Sequence, residues 1–517
     1  MVTKQNLLIL SSIFFVLALG SSCTYVRIVA HFNPSVSDYK IFPCDTVKAT
    51  SQKSMAFVRA GGNSIPDFKT WVPAHFRLEI DSLEAFLEES KTTAFLVMRN
   101  DSLLYEYYGN KHKKEDPQVI FSITKGITAM LTAIAVNDGL INPEQAVADF
   151  IPEYAQDARK DIKIKHLLNM VSGIDFSDRG NLARLAMLYY HRNQGSFIAD
   201  YDRMSHRPGT FFNYQSIATQ ILGLCLEKAT KMKLKDYLQL KLWQPLGMEY
   251  DALYTIDSKK FGNNRAFGGI ALRSTDLLRI GKLLLNKGVW EGQQILPLDF
   301  VEKLMKREMR DDSWWGYSNS FWRDGCIDTD FLGDNDFFAA GFSGQFLYVN
   351  PKYNVVIVRQ GLKETFRWPK VFSRLAVVLG GNKNDIVDVC KDYSEQFEGI
   401  YESSNGEKYE IVYKGLSPKT GERQWVIFKD VNQTLKTRKL FVAGHFDGRS
   451  IGTYRLFYIS RAIFNIVDNR VAGMYYDNQR AVDMRYFVKK SNLSLSQRKE
   501  MLNRVRRSND RKVKMVK

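Results

Sequence analysis

The spacing of apolar and polar positions divides the chain into regions of different character. Between about residues 70 and 381, strand-like and helix-like patterns alternate. The run "TTAFLVMRNDSLLYEYYG" (92–109) holds two apolar, β-rich stretches separated by Asn100-Asp101, which predicts a hairpin. From Gly126 to Gly139, "GITAMLTAIAVNDG" is apolar all round and stops on glycine, as a buried helix does. Two further helices are predicted in "SIATQILGLCLEKAT" (216–230) and "STDLLRIGKLLLNKG" (274–288), the second with Ser274 as its cap and Gly288 as its stop. A second hairpin follows in "GQFLYVNPKYNVVIVRQG" (344–361), its turn opening at Asn350-Pro351, and "ETFRWPKVFSRLAVVLGG" (364–381) predicts a closing helix. From about 390 the pattern becomes short aromatic and β-branched runs such as "KYEIVYKG" and "RQWVIFKD". These predict a separate all-β module.

The first 23 residues stand apart. One positive charge at Lys4, an apolar run from Leu7 to Gly20 and small residues ahead of Cys23 form the layout of an export signal. The run is short for a membrane span, which needs about 20 residues. Gly20-Ser21-Ser22-Cys23 resembles a bacterial lipoprotein processing site, with Cys23 as the lipid attachment; an uncleaved anchor and simple secretion are the alternatives. All three take the protein out of the cytoplasm, and the expected location is the bacterial cell envelope, anchored to the membrane and facing the periplasm or exterior. The expected organisation is therefore a signal or anchor at 1–23, a connector at 24–69, a catalytic domain at 70–381, a small β-rich, lipocalin-like domain at 382–490 and a basic tail at 491–517.

Composition changes this picture little. The 517 residues are 45% hydrophobic and 25% charged, ordinary for a globular protein of two or three domains. A net charge of +17 invites a nucleic-acid reading, but residues 489–517 carry 11 Lys and Arg against two acids, so +9 of it sits in one tail. No nucleic-acid partner is expected. Five scattered cysteines give neither a disulfide framework nor a zinc motif, and seven histidines show no H-E-x-x-H spacing.

Candidate chemistry starts from three literal strings shared with penicillin-recognising serine enzymes: S-x-x-K, Y-x-N and K-T-G. S-x-x-K occurs at Ser37, Ser122 and Ser496, and only Ser122-Ile123-Thr124-Lys125 opens a long apolar helix. Residues i and i+3 share a helix face, which brings Ser122 and Lys125 together. A buried first turn disfavours the ammonium, and the helix N-terminus favours a developing oxyanion.

Around these residues the chain resembles the serine β-lactamase-related hydrolases: class C β-lactamases, D-alanyl-D-alanine peptidases and their esterase relatives. It is most similar to the 6-aminohexanoate-dimer hydrolase and esterase branch. The resemblance rests on "FSITKGITAMLTAIAVNDGLINPEQAVADFIPEY", "IKIKHLLNMVSGIDFSD", "RPGTFFNYQSIATQILGLCLEKATKM", "FGGIALRSTDLLRIGKLLLNKGVWEGQQILP" and "AAGFSGQFLYVNPKYNVVIVRQG", in that order. It implies a β-lactamase/transpeptidase-like α/β (α+β) fold, a mixed antiparallel sheet flanked by helices with a helical subdomain, followed by the small all-β domain. It also implies Ser122 as nucleophile, Lys125 as base and Tyr214 as the catalytic tyrosine after the "PGT" turn, with Ser216 holding a Lys–Tyr hydrogen-bond network. The literal Y-x-N at Tyr317, in the aromatic run "WWGYSNSFW" that reads as a strand, is expected to be structural.

The family's K-T-G falls on Phe342-Ser343-Gly344, with the Gln345 N–H as second oxyanion donor. Phe342 departs from the pattern, since it offers no cation to a substrate carboxylate. The literal Lys419-Thr420-Gly421 is expected to be a hairpin turn. The reaction expected is acyl transfer from a small-molecule ester or amide, with no metal or other cofactor. A peptidoglycan peptidase or β-lactamase is the enzymatic alternative, and a non-catalytic envelope binding protein the other. Oligomeric state is not readable.

Overall fold

In the first predicted hairpin, Asn100 and Asp101 adopt left-handed backbone, with φ of 48° and 65°. That turn matches the strand twist and folds β3 (Thr92–Arg99) antiparallel onto β4 (Ser102–Tyr108). The computed structural model describes residues 24–496 except Phe32 and segments 51–56, 62–63, 73–79, 179–180, 306–315, 324–334, 365–367, 382–396, 404–407, 417–422, 431–438, 448–449, 456–457, 468–469, 478–484 and 493–495. The expected signal with Cys23, the K-T-G string and most of the basic tail lie outside the described residues.

The chain divides into two units, Met1–Gly381 and Asn382–Lys517. Among the described residues, the first is built on an eight-stranded sheet. Its order is β10 (Tyr317–Ser318), β11 (Phe321–Arg323), β12 (Phe337–Gly341), β13 (Gln345–Asn350), β14 (Val355–Gly361), β3, β4 and β2 (Val58–Arg59). Alternation decides what each face meets. Gly281 of helix α3 (Ser274–Leu285) lies against Val356 and Leu347, on one face. Phe95, Phe346 and Tyr348 pack on Phe372 of helix α4 (Trp368–Gly380), on the other. A mixed sheet flanked by helices is therefore what forms.

Three expectations need correction. Residues 24–69 are no mere connector. Cys44–Val47 (β1) pairs with Ala252–Thr255 (β6), which continues through Ile270–Leu272 (β7) to Gln118–Val119 (β5) in a four-stranded sheet. Satisfying β6's free edge gives that segment a place in the domain. Ser274 is not the cap of α3 but its first residue, with Arg273 at the N-cap. The buried Asp276 carboxylate there accepts the Glu249 and Tyr250 N–H groups. Finally, "WWGYSNSFW" is not one strand: β10 and β11 fold back about Asn319-Ser320, whose φ values are 47° and 66°.

Among the described residues, a two-stranded ribbon of β8 (Val289–Trp290) and β9 (Gln293–Gln294) completes the strands of the first unit. In the second unit, eight antiparallel strands from β15 (Gly399–Ser403) to β22 (Arg485–Ser491) close into a barrel. Its strands β16 (Lys408–Leu416) and β17 (Arg423–Asp430) pair antiparallel, with Leu416 opposite Arg423.

Candidate active site

The chain reaches Ser122 through a sharp corner. Ile120 donates its N–H to Ile270, and Phe121 then takes a φ of 45°, costly for a bulky side chain. Ser122 follows as N-cap of helix α1 (Ile123–Asn137). The corner leaves the first-turn N–H groups with the partial positive charge of a helix start.

Lys125, one turn on and fully buried, places Nζ 2.8 Å from Ser122 Oγ and donates to the Phe267 carbonyl at 3.1 Å. The carbonyl belongs to the segment 266–270, which hugs α1: Thr128 Oγ1 donates to the Ala266 carbonyl at 2.8 Å. Nζ also lies 5.0 Å from the Tyr214 ring centroid and 5.7 Å from that of Phe267. The structure thus brings Ser122, Lys125 and Tyr214 together. Tyr214 immediately precedes helix α2 (Ser216–Thr230), capped at Gln215, and is stacked on Trp322 at 5.1 Å with Tyr317 edge-on at 5.9 Å. The literal tyrosine of the Y-x-N string is thus a wall behind the tyrosine that faces the lysine.

Ser216 does not join the Lys–Tyr pair. Its Oγ donates to Asp178 Oδ2 at 2.6 Å and its N–H to Oδ1 at 2.7 Å, while the Asp178 N–H donates to the Tyr214 carbonyl at 3.2 Å. A charge-assisted acceptor outcompetes more distant neutral partners for the hydroxyl proton. Ser216 therefore anchors the corner that carries Tyr214, and Asp178 is the residue that sequence reasoning missed.

The third segment arrives from the sheet. Gly341, ending β12, lies so close to the chain before Ser122 that a Cβ there would stand 2.3 Å from the Ile120 carbonyl oxygen. The turn Phe342-Ser343-Gly344 follows, with φ of 64° at Ser343 and 79° at Gly344, and Gln345 opens β13. Phe342 is 57% exposed and meets Phe121 edge-on at 5.5 Å. Where a lysine would stand, the rim presents an aromatic face. Among the described residues, no cluster of three His, Cys, Asp or Glu is arranged to hold a metal.

The beta-lactamase family model matches residues 81–360, more than half of the chain. The chain belongs to the beta-lactamase family. Within this hydrolase family it is 26% identical, over 302 residues, to the 6-aminohexanoate-dimer hydrolase of Paenarthrobacter ureafaciens; the match covers 54% of this chain and 75% of that protein. Protein Flp of Staphylococcus aureus is 22% identical over 337 residues, 59% of this chain and 66% of Flp. A solved structure from Bacillus anthracis, assigned as a 6-aminohexanoate-dimer hydrolase, superposes with a TM-score of 0.56 over 67% of this chain and 92% of that one. At 21% identity that likeness establishes the β-lactamase/transpeptidase-like fold.

Proposed function

We propose that the protein is a serine hydrolase that cleaves a small ester or amide through an acyl-enzyme. The observation that carries this reading is the 2.8 Å approach of buried Lys125 Nζ to Ser122 Oγ at a helix start. Ser122 Oγ attacks the substrate carbonyl carbon as its proton moves to the Lys125 amine. The oxyanion is received by the N–H groups of Ser122 and Gln345, each contributing roughly 3–4 kcal/mol in comparable sites. Collapse breaks the bond to the alcohol or amine, which takes a proton through Tyr214. Water then adds to the acyl-enzyme, giving up a proton to the same Lys125–Tyr214 pair, and releases the acid with Ser122 restored.

Substrate class follows from the rim. Phe342 and Phe121 favour an apolar or aromatic substituent, and no lysine at position 342 pairs with a carboxylate. This supports esters and neutral amides over β-lactams and peptidoglycan termini. The likeness to a 6-aminohexanoate-dimer hydrolase supports hydrolysis of substrates outside the β-lactam class. The reading extends to export, on the apolar run Leu7–Gly20 ahead of Cys23, with lipid on Cys23 holding the protein to the cell envelope.

The test is labelling with a fluorophosphonate probe and, separately, a fluorescent penicillin, alongside Ser122→Ala. Phosphonate labelling that disappears in Ser122→Ala is the expected result, with little or no penicillin labelling. Labelling by neither probe sinks the serine-hydrolase reading, and strong penicillin labelling sinks the substrate class.

A further inference from the structure

We propose that Arg359 is a positioning residue for the oxyanion site, holding and polarising the peptide unit whose N–H is that of Gln345. The proposal rests on the reading of that N–H as an oxyanion donor. Arg359 lies on β14, opposite Phe346 of β13 and Phe95 of β3, on the sheet face covered by α4. It is fully buried, with its guanidinium 4.1 Å from the Trp368 ring centroid.

All of its nitrogens are engaged on neutral oxygens. Nη1 donates to the Gly344 carbonyl at 2.5 Å, Nη2 to the Ser90 carbonyl at 2.8 Å and the Lys363 carbonyl at 3.2 Å, and Nε to Thr92 Oγ1 at 3.0 Å. Burial disfavours this charge and pushes the guanidinium pKa down, with the Glu364 carboxylate acting in the opposite direction. A hydrophobic side chain would fill the space under Trp368 at less cost, which calls for a reason to keep a cation there.

The Gly344 contact supplies one. The Gly344 carbonyl and the Gln345 N–H belong to the same planar trans amide, so they point in opposite directions. Anchoring the oxygen on a guanidinium fixed by three other acceptors therefore aims the N–H away from Arg359. Withdrawing electron density from the oxygen also strengthens the N–H as a donor, as hydrogen bonds in series do. Gly344 itself is shaped to this contact: besides its φ of 79°, a Cβ would come within 2.2 Å of Arg359 Nη1. The Gly341 approach to Ile120 holds the same turn beside the backbone that leads into Ser122.

The test uses full-length protein and a matched pair of substrates, a p-nitrophenyl ester and its thionoester, whose sulfur makes poor use of an oxyanion hole. Arg359→Lys keeps a charge without the fork, and Arg359→Met removes the charge at similar volume. For either variant, kcat on the oxygen ester should fall roughly tenfold or more, short of the 10²–10³ seen when a whole donor is lost. KM should stay within about twofold, and thionoester turnover should fall much less. Equal loss on both substrates, or an unchanged oxygen-ester kcat, overturns the proposal. Circular dichroism and thermal midpoints establish which variants fold; if neither does, Thr92→Val, which removes the Nε acceptor together with the hydroxyl partner of Ser90 Oγ, carries the same ratio test. Wild-type protein that fails to label with fluorophosphonate shows instead that the hydrolase reading is wrong, and this proposal falls with it.

Discussion

Lys125 and Arg359 are both basic side chains with no exposed surface, yet their partners differ in kind. Lys125 has two oxygen partners, one of them the hydroxyl whose proton it would take, and otherwise faces aromatic rings. Arg359 has four acceptors and a tryptophan stacked across it. A base must be able to gain and lose a proton within one cycle, so few fixed acceptors suit it. A fixed electrostatic pole works best when it does not reorganise, so full engagement suits that. The contrast teaches that burial of a basic side chain does not define its role; the number and kind of its partners do.

Lys125→Met should break this contrast most sharply. Turnover is expected to fall by roughly four to six powers of ten, as when a member of a catalytic set is removed, with Ser122→Ala matching it in steady-state assays. Residual activity within tenfold of wild type would assign the base elsewhere. Tyr214→Phe should lower kcat by about 10²–10⁴, the usual contribution of a positioned proton donor. Behind it, Trp322→Ala should cost about 3–5 kcal/mol in denaturant unfolding and also reduce kcat, since the stacked ring loses its wall.

Smaller changes sharpen the rim. Phe342→Lys should raise kcat/KM for a carboxylate-bearing ester roughly tenfold, equivalent to about 1.4 kcal/mol, and permit slow penicillin labelling. No gain on either substrate would show that the missing lysine does not set the preference. The mildest effect concerns Asp276, whose carboxyl burial pushes up to about 6. Because the folded state then holds a proton that the unfolded chain has already released, stability should decline as pH rises from about 4 to about 6 and level off above. Thermal midpoints across that window check the sign, and Asp276→Asn should flatten the slope.

How much of this was legible in the chain itself differs from residue to residue. Ser122 and Lys125 could be read because i, i+3 spacing and a following apolar helix are local signals. Tyr214 needed the family resemblance, since a tyrosine before a helix has no distinctive pattern of its own. Asp178 was invisible: its bond to Ser216 joins positions 38 residues apart, and it sits in a turn, outside any helix or strand whose period could have marked it. Arg359 was invisible for another reason. In "VVIVRQG" the alternation puts its side chain on one sheet face, but only the packing of α4 reveals that this face is covered. Tyr317 shows the converse: a literal motif in the right chemistry stands one ring too far back, in the structural place that its aromatic surroundings predict.

The close approach of Gly341 to Ile120 joins parts of the chain more than 200 residues apart. Closing so long a loop is a late event in folding, because its entropy cost precedes any contact that repays it. During synthesis, a chain that has emerged only through helix α3 holds Ser122 and Lys125 but lacks the strand carrying Gln345. Hydrolytic activity would therefore switch on only with completion of the sheet, and nascent or truncated chains would be catalytically silent. An assay of turnover on this protein doubles as a reporter of its finished fold.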